Sequence, residues 1–185
     1  MRVITGSARG KKLITLPGDD VRPTADRVKE ALFSSIHFEI EGSSVLDLFA
    51  GSGQLGIEAL SRGAAQVVFC DKSTASVDTV KKNLENCGFN KSSYTVFHTD
   101  FLSYLKTSKT KFDFCFLDPP YEAGFYTDAL NGLDFVMKDG GVIFCEHPVD
   151  VKLNDCYGRF KKVKEYRFSR ILISKYVSEG TLNEP

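Results

Sequence analysis

Residues 43–63 read SSVLDLFAGSGQLGIEALSRG, and this stretch decides the fold. Its first seven residues predict a buried strand, and residues 54–62 predict a helix that Gly63 ends. Further strands are predicted at 66–71, 94–98, 112–117 and 141–146, with a helix at 73–86. Strands that alternate with helices form a parallel sheet with right-handed crossovers and helices on both faces. The sequence therefore predicts a Rossmann-like α/β domain.

Both ends of the chain depart from this alternation. Residues 159–168 and 170–176 predict two strands joined by a tight turn, an antiparallel hairpin at the edge of what becomes a seven-stranded sheet. Residues 2–6 and 12–16 predict two short strands in a hairpin, and Thr24 is the predicted N-cap of a helix that runs to about His37. We therefore expect an N-terminal extension over 1–40, a main domain over 41–178 and a loose tail over 179–185.

Composition is that of an ordinary soluble protein, with 42% hydrophobic and 26% charged residues among 185. The formal net charge is zero, so any contact with nucleic acid must depend on local basic patches. Five cysteines without a C-x-x-C pair predict a reducing, cytoplasmic location. We see no signal peptide, membrane-length apolar run, metal-ligand spacing or apolar stripe that demands a partner, and expect a monomer without a metal or membrane contact.

The four residues Asp118-Pro119-Pro120-Tyr121 follow the predicted strand at 112–117. The prolines have no backbone N–H, and the residue before each proline is held extended, so the loop presents carbonyl acceptors. An exocyclic amine would donate to these acceptors, and Tyr121 could stack on the ring that carries the amine. The loop therefore predicts a pocket floor for a flat ring with an amino group.

A second site is predicted at the first strand-to-helix turn. Gly51, Gly53 and Gly56 satisfy the pattern G-x-G-x-x-G, which allows a ligand to approach the backbone at a helix N-terminus. Asp47 ends the preceding strand, where its carboxylate would repel a pyrophosphate. A cationic ligand such as S-adenosylmethionine, with its sulfonium and amino groups, suits this acid better than a dinucleotide does.

Acids follow the next strands as well. Asp71 ends the second strand, where an acid can accept hydrogen bonds from ribose hydroxyls. Asp100 and Phe101 follow the third strand and could hold an adenine by its amino group and ring face. Phe49 and Lys72 complete the predicted cofactor-binding set. Any single acid of this kind could instead be a helix cap, but four occur at the ends of successive strands, where such sheets bind ligands: Asp47, Asp71, Asp100 and Asp118.

The two predicted sites together indicate methyl transfer to an amine. The lone pair of an aromatic exocyclic amine is delocalised, so acceptance of its hydrogens by Asp118 and the Pro119 carbonyl would stabilise positive charge as it develops. The methyl donor is already activated, and the enzyme must chiefly align the nucleophile. Pro120 and Tyr121 complete the predicted catalytic set, with Tyr121 stacked on a base extracted from its helix.

Three segments resemble one family: 2–13 (RVITGSARGKKL), 22–33 (RPTADRVKEALF) and 46–64 (LDLFAGSGQLGIEALSRGA). The chain is similar to bacterial 16S ribosomal RNA guanine-N2 methyltransferases of the RsmD type. The resemblance implies a class I S-adenosylmethionine-dependent methyltransferase domain that acts on small-subunit RNA already bound by ribosomal proteins. It also implies that Asp118, Pro119 and Tyr121 grip the guanine, and that five residues hold the cofactor: Asp47, Gly51, Gly53, Asp71 and Asp100. Thr5-Gly6 and Ser34-Ser35 depart slightly from the family pattern.

Basic residues of the opening segment agree with an RNA substrate. Arginine and lysine contacts to phosphates position a nucleic acid without reading its sequence. The predicted RNA-binding residues are Arg2, Arg9, Lys11, Lys12, Arg22 and Arg27, and Lys29 follows them on the same predicted helix. The basic run at 159–164 fits an exposed edge strand that lysines protect.

Three alternatives are weighed against this interpretation. An adenine-N6 methyltransferase acting on DNA or RNA would share the cofactor and the Asp-Pro-Pro-Tyr loop, although the chain has no room for a separate target-recognition domain. An NAD-dependent oxidoreductase conflicts with Asp47 and leaves the loop unexplained. Nothing in the loop favours an RNA-binding module without catalytic activity.

Overall fold

The computed structural model describes residues 1–16, 23–120 and 125–178. Its five α-helices are α1 (Pro23–Ser34), α2 (Gln54–Ser61), α3 (Thr74–Cys87), α4 (Phe101–Thr107) and α5 (Phe125–Gly132). Its strands are β1 (Ser44–Asp47), β2 (Gln66–Asp71), β3 (Tyr94–His98), β4 (Phe112–Leu117), β5 (Met137–Pro148), β6 (Cys156–Tyr157), β7 (Phe160–Phe168) and β8 (Ile171–Ser178). No helix in these ranges has the length and apolar content that crossing a membrane would require.

The strands form one sheet in the order β3-β2-β1-β4-β5-β8-β7-β6. Strands β1 to β5 are parallel to their neighbours, and β8, β7 and β6 add antiparallel pairs at one side. The predicted α/β fold with an antiparallel C-terminal hairpin is confirmed. The sheet has eight strands instead of seven because the two-residue strand β6 pairs with β7, and such a short pair has no sequence pattern of its own.

Two apolar clusters cover the two faces of the sheet. Alternate residues of a strand point to opposite faces, so Phe116 and Phe144 lie in one cluster whereas Leu117 and Cys145 lie in the other. We call the face with Phe116 the first face and the face with Leu117 the second face. Helices α1, α2 and α3 supply the first face with buried side chains, and α4 and α5 supply the second.

The N-terminal segment packs into the first-face cluster, to which Val3, Ala8 and Leu13 belong. The predicted hairpin is present: the Val3 N–H donates to the Lys11 carbonyl at 3.0 Å, and the Gly10 N–H donates to the Val3 carbonyl at 2.9 Å. Its two predicted strands are wrong, however, because only an isolated bridge between Arg2 and Lys12 forms. Backbone groups between these rows bond to α2 instead of to each other.

Several predicted boundaries also need correction. Thr24 is not an N-cap, since α1 begins at Pro23, and the helix ends at Ser34 instead of about His37. Proline has a backbone angle suited to the first helical position, which explains the earlier start. Strand β1 ends at Asp47, where the glycine turn begins, and β5 starts four residues earlier than predicted through an irregular register with β4. The predicted tail at 179–185 lies outside the described residues.

Candidate active site

A cavity of about 290 Å³ lies at the carboxyl ends of the parallel strands. Residues from the two predicted sites meet there, and seven of them line it: Phe49, Gly51, Asp71, Lys72, Asp118, Pro119 and Pro120. The others that line it were not predicted for the site: Met1, Val28, Lys29, Gln54, Leu55, Glu146 and Ile171. The cavity therefore joins the predicted cofactor-binding turn to the Asp-Pro-Pro loop. Tyr121 and Arg22 lie outside the described residues.

Four predicted cofactor residues do not line this cavity. They are Asp47, Gly53, Asp100 and Phe101. Asp100 is exposed and is the N-cap of α4, with its Oδ1 accepting the Ser103 N–H at 3.0 Å. Hydrogen bonds from Ser103 lower the pKa of Asp100 below its ordinary value. Its geometry is that of the helix cap weighed above, and adenine binding by Asp100 remains a prediction.

Asp47 is buried at the end of β1, with 3% of its surface exposed. Its Oδ2 accepts the Gly56 N–H at 2.9 Å in the first turn of α2. Burial raises the pKa of Asp47 to about 7, the Gly56 hydrogen bond opposes this shift, and the neighbouring Asp71 adds to it. The contact ties the strand end to the helix N-terminus, so Asp47 shapes the turn that a ligand would approach.

Asp71 holds the glycine turn from the other side. Its Oδ2 accepts the Gly51 N–H and its Oδ1 accepts the Ser73 N–H, both at 2.8 Å. Gly51 has a positive φ of 54°, and no heavy atom lies within 4 Å of the position that a Cβ would take. A ligand can therefore reach this backbone, as the glycine pattern predicts, beside an acid with further lone pairs to accept hydrogen bonds.

The third glycine of the pattern has a packing role. A Cβ on Gly56 would lie 2.3 Å from Cε1 of Phe69, a fully buried ring on β2. Helix α2 can approach the sheet this closely only without a side chain at that position. This approach brings the helix N-terminus to the edge where the cavity lies.

Three phenylalanines pack together beside the turn. The ring centroids of Phe49 and Phe101 are 5.0 Å apart, and Phe125 lies 5.8 Å from Phe101 and 6.3 Å from Phe49. The Lys72 ammonium lies 5.7 Å from the centroid of the Phe125 ring. Phe101 thus supports Phe49, which lines the cavity. Phe125 was not predicted because it follows the loop at a position without a distinctive pattern.

Lys29 is buried, in contrast to the RNA-facing position expected for it. It is 1% exposed, and its Nζ donates to the Arg2 carbonyl at 2.6 Å and lies 3.6 Å from Oε2 of Glu58. Burial lowers the pKa of Lys29, and the Glu58 charge opposes this shift. Glu58 also accepts the Ile4 and Thr5 N–H groups at 2.8 and 3.0 Å. The pair fastens the opening segment to α2; helix α1 buries the side next to Val28 as well.

Asn83 makes a second connection of this kind. Its Oδ1 accepts the Ile14 N–H at 2.8 Å, and its Nδ2 donates to the carbonyls of Ile14 and Ser52, each at 2.9 Å. Asn83 is fully buried on α3. The N-terminal segment is therefore hydrogen-bonded, through one side chain, to the glycine turn at the cavity.

Two polar residues on the cavity wall were missed. Gln54 begins α2, and its Oε1 is buried without a hydrogen-bond partner, so it can accept a donor from a ligand. Glu146 lies in β5 and is the fifth acid at the end of a parallel strand. The strand-end rule that identified the other four acids would have found Glu146 also.

The predicted RNA-binding residues that the structure describes are exposed: Arg2, Arg9, Lys11, Lys12 and Arg27. Arg2 forms an ion pair of 3.6 Å with Asp26 at the protein surface. Met1 of the same segment lines the cavity. Cationic side chains thus surround one entrance to the cavity, and their contact with RNA remains a prediction.

Comparison with known proteins gives the family. The family model described as Conserved hypothetical protein 95 matches residues 1–177. The chain is 38% identical over 157 residues to ribosomal RNA small subunit methyltransferase D of Haemophilus influenzae, which covers 83% of this chain and 81% of that one. A structure described as putative methyltransferase yhhF from Escherichia coli superposes with a TM-score of 0.86 at 31% identity, over 98% of this chain and 99% of that one.

A more distant structure carries bound ligands. The Thermus thermophilus 16S rRNA N2 G1207 methyltransferase RsmC, in complex with AdoMet and guanosine, superposes with a TM-score of 0.71 at 25% identity. It covers 88% of this chain, which in turn covers 44% of that protein. The model match over nearly the whole chain and the identity to methyltransferase D establish the relationship. The chain belongs to the Conserved hypothetical protein 95 family, the family of the small-subunit ribosomal RNA methyltransferases of the RsmD type.

Proposed function

We propose that this protein transfers a methyl group from S-adenosylmethionine to the exocyclic N2 amine of a guanine in 16S rRNA of the small ribosomal subunit. The observation that carries the proposal is the shared cavity, which Asp118, Pro119 and Pro120 line together with Gly51 and Asp71. The names of methyltransferase D and of the guanosine-bound RsmC support the same substrate.

The cavity residues fit S-adenosylmethionine. Gly51 leaves its backbone open to a ligand, and Asp71 offers carboxylate oxygens at the position where ribose hydroxyls are bound in such sheets. The unpartnered Oε1 of Gln54 can accept from the amino group of the cofactor. Phe49 supplies an apolar wall. When bound, the cofactor supplies a methyl group already activated on sulfonium.

The Asp118 loop would hold the base. Its prolines cannot donate, so the loop offers acceptors to the hydrogens of the amine. The Asp118 carboxylate and the Pro119 carbonyl would orient the nitrogen lone pair away from the ring and stabilise the positive charge that grows there. Asp118 need not remove a proton before transfer, because the methylated nitrogen is acidic enough to lose one afterwards. We also propose that Tyr121 stacks on the base, worth about 1–3 kcal/mol.

We propose further that the extension at 1–40 contacts RNA through its exposed cations and that the protein acts as a cytoplasmic monomer on 30S particles. The exposure of Arg9, Lys11 and Lys12 near the segment that lines the cavity supports the first point. The mass in solution, measured by light scattering, tests the second.

One experiment tests the reaction. Labelled S-adenosylmethionine is incubated with undermethylated 30S particles, free 16S rRNA and DNA, and the nucleosides are then separated. We expect label in N2-methylguanosine, with more from particles than from free RNA. Label in N6-methyladenosine, or none in N2-methylguanosine from any RNA substrate, would refute the proposal.

A further inference from the structure

The Asp118 loop by itself does not distinguish guanine from adenine, because both bases carry an exocyclic amine that donates hydrogens. The difference lies at the neighbouring ring nitrogen. Guanine carries a hydrogen on N1, next to the N2 amine, whereas N1 of adenine is an acceptor. A second acceptor beside Asp118 would therefore match guanine and repel adenine. Carboxylates accept and cannot donate when ionised, so an acid serves this purpose best.

Glu146 has the required position. Strands β4 and β5 are parallel neighbours in which Leu117 pairs with Cys145. Asp118 and Glu146 each follow one residue later, on strands that lie about 4.8 Å apart in a sheet. Leu117 and Cys145 belong to the second-face cluster, so the next residue along each strand points to the first face. Both acids line the same cavity.

The backbone under Glu146 is held on both sides. Strand β8 pairs with β5 opposite β4, and Ile173 is the partner of Glu146 in that register. The next residue, His147, is buried, and its Nε2 lies 2.9 Å from the Ser174 hydroxyl. A side chain on such a rigid strand holds its geometry better than one on a loop, as discrimination between bases requires.

The charge balance of the cavity agrees with a base that donates twice. Two carboxylates on adjacent strands repel each other when both are ionised. The buried Lys29 ammonium lines the same cavity and offsets part of this charge. A guanine edge would bring N1–H and N2–H donors to the two acids, whereas an adenine edge would bring an acceptor to one of them.

We propose that the Glu146 carboxylate accepts the N1–H of the target guanine and thereby selects guanine over adenine. This assignment rests on the proposed function and adds a specificity-determining residue to it. A carboxylate has about four lone-pair positions, so Glu146 can accept this hydrogen alongside other contacts.

The test uses a base that separates the two contacts. 2-Aminopurine keeps the exocyclic amine of guanine, but its N1 is an acceptor, as in adenine. The methylated position is first mapped on 30S particles treated with the wild-type protein. 16S rRNA with guanine or 2-aminopurine at that position is then assembled with ribosomal proteins, and methyl transfer is compared for the wild type, Glu146→Gln and Glu165→Gln.

We expect the wild type to prefer guanine over 2-aminopurine by about ten- to a hundredfold, the usual discrimination for a well-matched base edge. Glu146→Gln should lose most of this preference, because its carboxamide can donate to the bare N1 of 2-aminopurine. Glu165→Gln is the matched control, since Glu165 bonds to the Ser174 hydroxyl and does not line the cavity. It should keep the wild-type preference.

Other outcomes would overturn the assignment. An unchanged preference in Glu146→Gln, or an equal loss of rate on both bases, means that Glu146 does not read N1. Glu146→Asp gives a second measurement: it retains the charge on a shorter side chain and should lose rate on guanine without gaining on 2-aminopurine. Absence of N2-methylguanosine with the wild type would instead refute the proposed function itself. Calorimetry with S-adenosylmethionine should give wild-type affinity for each variant.

Discussion

At the scale of single residues, Asp118 and Asp71 line one cavity from opposite sides of its chemistry. Asp118 belongs to the loop proposed to hold the base, and Asp71 fixes the glycine turn through Gly51. Substitutions at these two positions should therefore affect different steps. Their separation is the most direct check on how the cavity is divided between base and cofactor.

We predict that Asp118→Ala lowers the rate of methyl transfer by about a hundredfold or more, as loss of a charge-stabilising group does, and changes cofactor affinity only a few-fold. Asp71→Ala should chiefly weaken cofactor binding, because it frees the Gly51 N–H and removes the ribose acceptor. Calorimetry and single-turnover rates measure the two effects. Asp128→Ala, at an exposed position on α5, is the control. Equal loss of cofactor binding in both variants would contradict this division.

Asp47 predicts a pH dependence of stability. Its pKa is raised from 3.8 to about 7, so the folded state favours the protonated carboxyl. Its stabilising contribution is then complete below the unfolded pKa and is lost as the pH rises from about 4 through 7. Asp47→Asn keeps an oxygen for the Gly56 N–H but cannot ionise. The free energy of unfolding of the wild type, relative to this variant, should fall with a slope of at most about 1.4 kcal/mol per pH unit.

Denaturant melts at successive pH values measure this difference. Asp128→Asn, an exposed acid, should show no such slope relative to the wild type. Stability curves for the wild type and Asp47→Asn that stay parallel from acid to neutral pH would show that Asp47 remains ionised in the folded protein.

Residue roles were the part of the site that the sequence predicted least well. Strand-end acids could be found from their positions, but a strand-end acid is equally suited to bind a ligand or to cap the next helix. Asp47 and Asp100 bond to helix N–H groups, whereas Asp71 lines the cavity. Lys29 looked like a surface cation because sequence periodicity does not show how wide a stripe α1 buries.

At the scale of elements, the packing of α2 on β2 sets the position of the glycine turn. The Gly56 backbone faces the Phe69 ring at a distance that leaves no room for a methyl group. Alanine is the better helix former by about 1 kcal/mol, so intrinsic propensity alone would favour Gly56→Ala. The clash acts in the opposite direction and decides the sign.

We predict that Gly56→Ala destabilises the protein by about 1–3 kcal/mol, the usual cost of overpacking. Phe69→Leu in the same chain should recover part of this loss, because it removes the ring atom that the new methyl group would meet. A double-mutant cycle of unfolding free energies measures the coupling. Additive effects of the two substitutions would mean that the helix shifts away from the sheet instead.

Element prediction succeeded where the periodicity was strong. Strands β2, β3 and β4 have the predicted bounds, since apolar runs of five or six residues are flanked by turn residues. The N-terminal strands failed because their backbone donors bond to Glu58 and Ser61, more than fifty residues away in sequence. Local patterns contain no information about such distant partners.

At the scale of the whole molecule, one surface gathers the cations of the opening segment. Arg9, Lys11 and Lys12 are exposed and belong to a chain of zero net charge. Neutralised phosphates release counterions, so each lost contact lowers the dependence of RNA affinity on salt. This surface can thus be tested separately from the cavity.

We predict that changing Arg9, Lys11 and Lys12 together to glutamine weakens binding to 16S rRNA and lowers the log–log salt slope by about two. Cofactor affinity should not change. The matched control replaces Lys161, Lys164 and Arg167, exposed cations on β7, with glutamine. Filter binding at several salt concentrations provides the slopes. A larger effect from the β7 set would place the RNA on the opposite side of the molecule.

The hydrogen bonds of Asn83 also have a consequence for biosynthesis. Ile14 bonds to a side chain that lies 69 residues later in the chain. The ribosome synthesises proteins from the N-terminus, so the opening segment emerges long before its partner exists. Its docking must wait for α3. Because Met1 lines the cavity, the walls of the active site are completed only after this late step, and a nascent chain that stops before residue 83 cannot complete them.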